Sequence, residues 1–293
     1  MTIQINTSLV RRLIDAQFPE YTHLPIRAVP EQGNDNRTFR LGDQHSIRLP
    51  SNSSYASAVA KEATALKSIK PVFSLDVPDV VAMGQPSEDY PLPWSIRRWI
   101  DGVTWQTTEV KDKRALAKSL GGILKELRAI PTLPTLFAGQ HSFYRGCHPS
   151  AYSDEVIKSL GILNDTELTQ QCLRIWQRGL TTVWTHDPVW FHGDIAVGNV
   201  LMNEQNITAL IDFGTCGVGD PACDYAIAWT YFDAETRAHF REAIEIDDGT
   251  WQRAKAWALW KALVSLTGLS APDTHGIQKR ALKEICDEGV SID

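Results

Sequence analysis

The sequence predicts an α+β chain in two lobes: an N-terminal antiparallel sheet with one key helix, then a mainly helical region. Three observations predict it. Up to about residue 100, short segments rich in β-formers (IRAVP, TFRLG, HSIRLP, VPDVVAMG and PWSIRRWI) are divided by the turn-prone QGNDN and GDQ. Between the third and fourth of these lies YASAVAKEATALKSI, a run of high helix propensity that ends before Pro71. Beyond the turn signal Asp101-Gly102, the apolar residues Leu116, Leu120, Ile123, Leu124 and Leu127 recur at helical spacing.

In chain order, a first helix runs from about Ser8 to Gln17 and is stopped by Pro19. Five strands and the helix of residues 55–69 then complete a compact first lobe, so the boundary falls near residue 101 and the lobes are 1–101 and 102–293. In the second lobe Asp165 is placed to cap a helix reaching about Val183, and residues 221–232, 235–245, 249–267 and 276–288 also read as helical. Asp220 before Pro221 is an N-cap followed by proline at the first helical position. VLM and ITALID flank the turn NEQN, a hairpin whose outer ends, Asn199 and Asp212, can come together in space.

Composition narrows the class. With 293 residues, 43% of them hydrophobic, the chain can bury a sizeable core. No basic start leads into an apolar run, and no stretch approaches the roughly 18 apolar residues of a membrane span, so a soluble, cytoplasmic protein without a membrane partner is expected. Five scattered cysteines, an odd number with no C-x-x-C pair, suggest reduced thiols and neither a disulfide framework nor a zinc site. The net charge of −6 is uneven: residues 190–293 hold 16 acids against 8 bases. Such a surface repels nucleic acid and attracts a cationic small molecule, although acids also serve solubility alone. Helix spacing carries no information on oligomeric state.

The chemistry concentrates in residues 191–214, FHGDIAVGNVLMNEQNITALIDFG. Asn199 and Asp212 offer the oxygen ligands that suit Mg²⁺, which takes one or two side chains and leaves its other positions to water and phosphates. Asp194, on the loop before the hairpin, is placed to accept a proton from a hydroxyl lined up with the terminal phosphate of ATP. Gly193 and Gly214 suit the tight backbone beside each carboxylate.

H-G-D-x-x-x-x-N followed by D-F-G resembles the catalytic and metal-binding segments of the aminoglycoside phosphotransferase family, distant relatives of protein kinases, and the likeness extends over most of the chain. It implies a two-lobed protein-kinase-like fold with its site in the cleft, using ATP, or GTP, with Mg²⁺. The family carries HGD where protein kinases carry HRD, so Gly193 favours a small-molecule kinase, and no clear A-P-E segment follows DFG. By the same resemblance His192 shapes the catalytic loop and Asp224, in GVGDPACDYAIAWTYF, braces it.

For the first lobe, EQGNDNRTFRLG resembles the family's nucleotide loop, which makes Asn34, Asn36 and Arg37 nucleotide candidates. Arg48 occupies the place of the protein-kinase lysine on the third strand, and Glu62 on the helix is its expected partner; the alternative is an edge-exposed Arg48 with Glu62 pairing Lys61 or Lys67. PWSIRRWIDG resembles the linker strand whose backbone meets the adenine edge, at Arg98 and Ile100. On the acceptor side, Trp229, Tyr231, Asp233 and Glu235 offer aromatic walls with carboxylates. The expected activity is transfer of the γ-phosphate of ATP to a hydroxyl of a small molecule, either an aminoglycoside-like antibiotic, which the acidic last third suits, or an amino-alcohol or sugar metabolite. A macrolide-type acceptor, a nucleotide-binding pseudokinase scaffold and a protein kinase are the rival readings.

Overall fold

The computed structural model describes residues 4–30, 32–33 and 35–288. Contacts divide the chain into two units: residues 1–102 with 209–214, and residues 103–208 with 215–293.

In the first unit, α1 (Thr7–Gln17) starts at Asn6, whose side chain accepts the Leu9 amide at 3.0 Å, and it buries Leu9, Val10, Leu13 and Ile14. The strands β1 (Ile26–Ala28), β2 (Asn36–Leu41) and β3 (His45–Pro50) follow, then α2 (Ala56–Ile69), then β4 (Val80–Gly84) and β5 (Trp94–Arg98). They form one antiparallel sheet in the order β1-β2-β3-β5-β4. Side chains alternate across a strand. Phe39, Leu41, Ile47, Leu49, Trp94 and Ile96 therefore join the buried face of α1 in one apolar cluster, where each large side chain contributes about 1.5–3 kcal/mol. The same alternation sends Arg48, Ser95 and Arg97 to the other face, where α2 supplies Glu62.

The second unit contains β6 (Val103–Thr104), α3 (Lys113–Ala129), α4 (Ser153–Ile162), α5 (Thr166–Leu180), β7 (Val189–Phe191), β8 (Val200–Asn203), β9 (Asn206–Leu210), β10 (Gly217–Gly219), α6 (Ile227–Thr230), α7 (Ala234–Ile244), α8 (Asp248–Leu266) and α9 (Ile277–Glu288). The last two residues of β9 belong to the first unit. β6, β8 and β9 make a small sheet, and β10 pairs antiparallel with β7. α8 is buried around its whole circumference from Trp257 to Trp260 and packs against α4, α5, α9 and residues 221–226. A helix apolar on every side belongs at the centre of a unit. Asp112, Asp165, Asp233 and Asp247 cap α3, α5, α7 and α8 by accepting the amides of Ala115, Leu168, Thr236 and Thr250. Among the described residues no helix is long and apolar enough to cross a membrane.

Three features depart from the expectation. The single helix expected over 221–232 is a 3₁₀ turn at Pro221–Ala226 followed by the one-turn α6. α4 lacked a recognisable start signal, and β7 and β10 are three residues each, too short for an alternation pattern.

Candidate active site

In the first unit a buried charge network forms on the polar face of the sheet. Glu62, 2% exposed, receives two bonds from Arg97, Nη1 to Oε1 at 2.5 Å and Nη2 to Oε2 at 2.9 Å. Arg48 Nη1 reaches the same Oε1 at 3.4 Å, and the backbone N–H of Phe213 donates to it at 3.1 Å. The other arm of Arg48, Nη2, donates to Asp212 Oδ1 at 2.8 Å. Lys61, buried beside Glu62 on α2, donates to the carbonyl of Gly214 at 2.5 Å. Burial alone would raise the Glu62 pKa, but the charges of Arg97 and Arg48 outweigh it and hold the carboxyl below its usual range. Burial likewise opposes the charge on Arg48, and the carboxylates of Asp212 and Glu62 reverse that and push its pKa up. Asp212 has φ of 65°, in the left-handed region that aspartate tolerates better than most residues.

In the second unit, residues 192–199 leave β7 as a loop braced from behind. Asp224, buried in the 3₁₀ turn, accepts the N–H of His192 on Oδ2 at 2.7 Å and the N–H of Gly193 on Oδ1 at 2.6 Å. Burial pushes its carboxyl up to about 6. His192 is fully buried, and its Nδ1 accepts the amide of Asp194 at 3.2 Å. Gly193 has φ of 85°, and a Cβ there would stand 2.7 Å from the carbonyl oxygen of Thr215, so only glycine fits this bend. The Asp194 side chain emerges exposed, and Asn199 Nδ2 donates both to its Oδ2 at 3.0 Å and to its carbonyl at 2.9 Å. Asp220 accepts the Ala222 amide and pairs with Arg253 at 2.6 Å, which fixes the turn that carries Asp224. Beside Asp194 a cavity of about 170 Å³ is walled by Ile195, Ile227, Tyr231, Trp257 and Trp260.

Residues 26–257 match the model of APH, the phosphotransferase enzyme family. The chain belongs to this family. No curated protein matches it. Its structure is similar to the GDP complex of aminoglycoside 2'-phosphotransferase-IIIa, with 22% identity, 96% of this chain and 98% of that chain covered, and a TM-score of 0.76. It is also similar to APH(2")-IIa in a ternary complex with streptomycin and ATP, with 17% identity, 97% of each chain and a TM-score of 0.59. A third likeness is to macrolide 2'-phosphotransferase MphH from Brachybacterium faecium, with 19% identity, 96% and 98% coverage and a TM-score of 0.64. At these identities the likeness is one of fold, and the α+β, protein-kinase-like class expected from the sequence is the class found.

In this phosphotransferase the residues singled out from the sequence fall into distinct groups. Arg48, Glu62 and Asp212 share one network, and His192, Asp194, Asn199 and Asp224 share another. Tyr231 lines the cavity. Three acceptor candidates do not line the cavity. Trp229 is fully buried with its indole N–H on Glu288, Asp233 is spent as the cap of α7, and Glu235 sits on an exposed ion pair with Arg114. Arg98 has its backbone N–H on the Asp79 carbonyl at 2.8 Å and its side chain on Asp76. Ile100 follows the end of β5 and is half-buried. Asn36 opens β2 opposite Pro50, and the Arg37 side chain bonds the Gly33 carbonyl at 2.5 Å. Asn34 lies outside the described residues. The sequence reading missed Arg97, the principal partner of Glu62. The alternation of Trp94-Ser95-Ile96-Arg97 held the signal, since with Trp94 and Ile96 in the apolar cluster Arg97 must face α2.

Proposed function

We propose that the protein transfers the γ-phosphoryl group of ATP, with Mg²⁺, to a hydroxyl of a small molecule. The observation that carries this reading is the hold on residues 192–194, in which two consecutive amides are fixed by one buried carboxylate and the third by the His192 ring. That hold presents the Asp194 carboxylate to the cavity wall. A carboxylate so fixed takes the proton of a hydroxyl as its oxygen attacks phosphorus. Asn199, by donating Nδ2 to Asp194, orients the base and directs its own Oδ1 elsewhere. That amide oxygen and the Asp212 carboxylate are the hard donors that fit Mg²⁺. When bound, the ion supplies neutralisation of phosphate charge.

Arg48 is the cation for nucleotide phosphates in this reading, held upright by Glu62. Residues 1–101 then serve the nucleotide and 102–293 the acceptor and the chemistry, with Asn36, Arg37 and the backbone of Ile100 as nucleotide contacts. The relatives named above, solved with GDP or with streptomycin and ATP, support nucleotide use and a small-molecule acceptor. Dependence on a nucleoside triphosphate and five free cysteines support a cytoplasmic location.

The test is Mg²⁺-dependent release of nucleoside diphosphate from ATP and from GTP across a panel of hydroxyl acceptors. Asp194→Ala is expected to lower turnover at least about 10²-fold with nucleotide affinity retained. Equal turnover in that variant overturns the mechanism.

A further inference from the structure

The consecutive residues Asp212, Phe213 and Gly214, which follow the end of β9, are each held by α2 or by a side chain that α2 holds. Arg48 donates to Asp212 Oδ1 at 2.8 Å and to Glu62 Oε1 at 3.4 Å. The Phe213 N–H donates to the same Oε1 at 3.1 Å, and Lys61 Nζ donates to the Gly214 carbonyl at 2.5 Å. Lys61 and Glu62 are neighbours on α2 with opposite charges. One therefore takes a backbone acceptor of the segment and the other a backbone donor from the residue before it. All of these residues belong to the first unit.

Lysine is among the residues least often buried, because its ammonium gives up water that a protein partner must replace. Lys67, the other lysine of α2, is exposed, whereas Lys61 is only 8% exposed. An apolar side chain of similar length would fill the place of Lys61 without that desolvation, so the position selects a donor. The segment it grips is one that needs holding. Asp212 has φ of 65°, a backbone conformation that residues other than glycine rarely adopt and that persists only where the surroundings fix it. Its carboxylate rests against Gly214, where a Cβ would stand 3.3 Å from Asp212 Oδ1. A shift of Gly214 therefore moves the support on which that carboxylate lies.

Resting on the phosphotransferase reading above, in which Asp212 is a donor to Mg²⁺, we infer that Lys61 is a positioning residue for the metal-bound nucleotide. By fixing the Gly214 carbonyl while Glu62 fixes the Phe213 N–H, it keeps the Asp212 carboxylate in the orientation that meets the cation. Lys61 acts through Asp212 and not on the reacting groups. Side chains that hold a metal ligand from behind typically change metal affinity or activity about 10–100-fold when they are removed. Arg48, the phosphate cation of that reading, keeps Glu62 and Asp212 as its own partners. Nucleotide binding without metal therefore survives the loss of Lys61, and the metal-dependent part does not.

The experiment is calorimetry of ATP binding to the full chain, with GTP in parallel, across a Mg²⁺ titration and in EDTA. Lys61→Met keeps the aliphatic stem and removes the ammonium. It is expected to raise the Mg²⁺ concentration for half-maximal nucleotide binding about tenfold or more and to leave the affinity in EDTA unchanged. Lys67→Met, at the exposed lysine of the same helix, is expected to change neither. Should Lys61→Met fail to fold, Lys61→Gln, shorter and uncharged, provides the same comparison. An unchanged Mg²⁺ requirement in a folded Lys61 variant overturns the inference and leaves the kinase reading standing. An equal loss of affinity with Mg²⁺ and in EDTA does the same, since that is the signature of a lysine serving stability alone. If the unaltered protein binds neither nucleotide more tightly with Mg²⁺ than in EDTA, the kinase reading falls and this inference with it.

Discussion

Replacing Arg97 by methionine isolates the charge network of the first unit. Arg97 is 1% exposed, and its guanidinium makes two bonds to Glu62, at 2.5 and 2.9 Å, besides one to Ser95 at 2.9 Å. Methionine fills much of the same volume and removes the charge, which leaves Glu62 to the 3.4 Å contact with Arg48 and the Phe213 amide. Breaking a buried pair from one side costs about 3–5 kcal/mol, because a charge stays behind without compensation. The two surviving donors place Arg97→Met near 3 kcal/mol, a large part of the roughly 5–15 kcal/mol that keeps a protein folded. Urea unfolding measures it directly, and a double-mutant cycle with Glu62→Gln separates the pair from the packing. The double variant is expected to lose clearly less than the sum of the two single losses. Glu62, whose pKa is held low in the folded state, stabilises above its unfolded pKa and loses that contribution as the pH falls through its folded value. Arg97→Met is therefore expected to raise the pH at which the protein acid-denatures. A loss below about 1 kcal/mol, the value of an exposed pair, or strict additivity in the cycle refutes the reasoning.

The remaining expectations concern the loop and Asp212. Asp224 has its folded pKa raised to about 6, so it ionises at a cost as the pH rises through 6 and favours the folded state below its unfolded pKa. Activity has the opposite dependence: below about pH 6 the protonated carboxyl gives up an acceptor for the His192 and Gly193 amides, and Asp224→Asn is expected to displace or remove that acid limb of the pH–rate profile. Gly193→Ala must adopt a left-handed backbone costing about 1–2 kcal/mol and clash with Thr215, so a drop in kcat of at least about tenfold is expected, with nucleotide affinity unchanged. Asp212→Ala is expected to weaken binding of Mg²⁺-nucleotide in calorimetry and to leave Arg48 without its 2.8 Å partner.

How far the sequence could be read depended on how local each signal was. Strand alternation, aspartate caps and the Pro19 and Pro71 stops act within a few residues, so the elements of the sheet and most of the helices were legible. The spacing of Asp194, Asn199 and Asp212 was legible for the same reason. Partner choice was harder, because it is settled by which side chains share a face. Glu62 lies 14 residues from Arg48 and 35 from Arg97; strand alternation puts both arginines on the face of α2, and the assembled sheet decides that the second is the closer partner. The cavity wall was the least legible part. Arg145, Trp257 and Gln278 come from separate segments with no common spacing, while Trp229, in the same aromatic stretch as Tyr231, turned into the core as most helical aromatics do.

The membership of residues 209–214 in the first unit bears on how the polypeptide is made. The pair of Arg48 with Asp212 joins positions 164 residues apart, and the Phe213 amide reaches Glu62 across 151. At ribosomal speeds of about 5–20 residues per second, the arginine and glutamate leave the ribosome many seconds before their last partners. The apolar side of the early sheet can collapse at once and Arg97 can pair with Glu62, but Arg48 must wait for Asp212, on a segment delivered only after more than a hundred intervening residues have emerged. A nascent chain arrested near residue 110 is thus a partly finished unit, and the step that completes it is also the step that delivers the Asp-Phe-Gly residues to it.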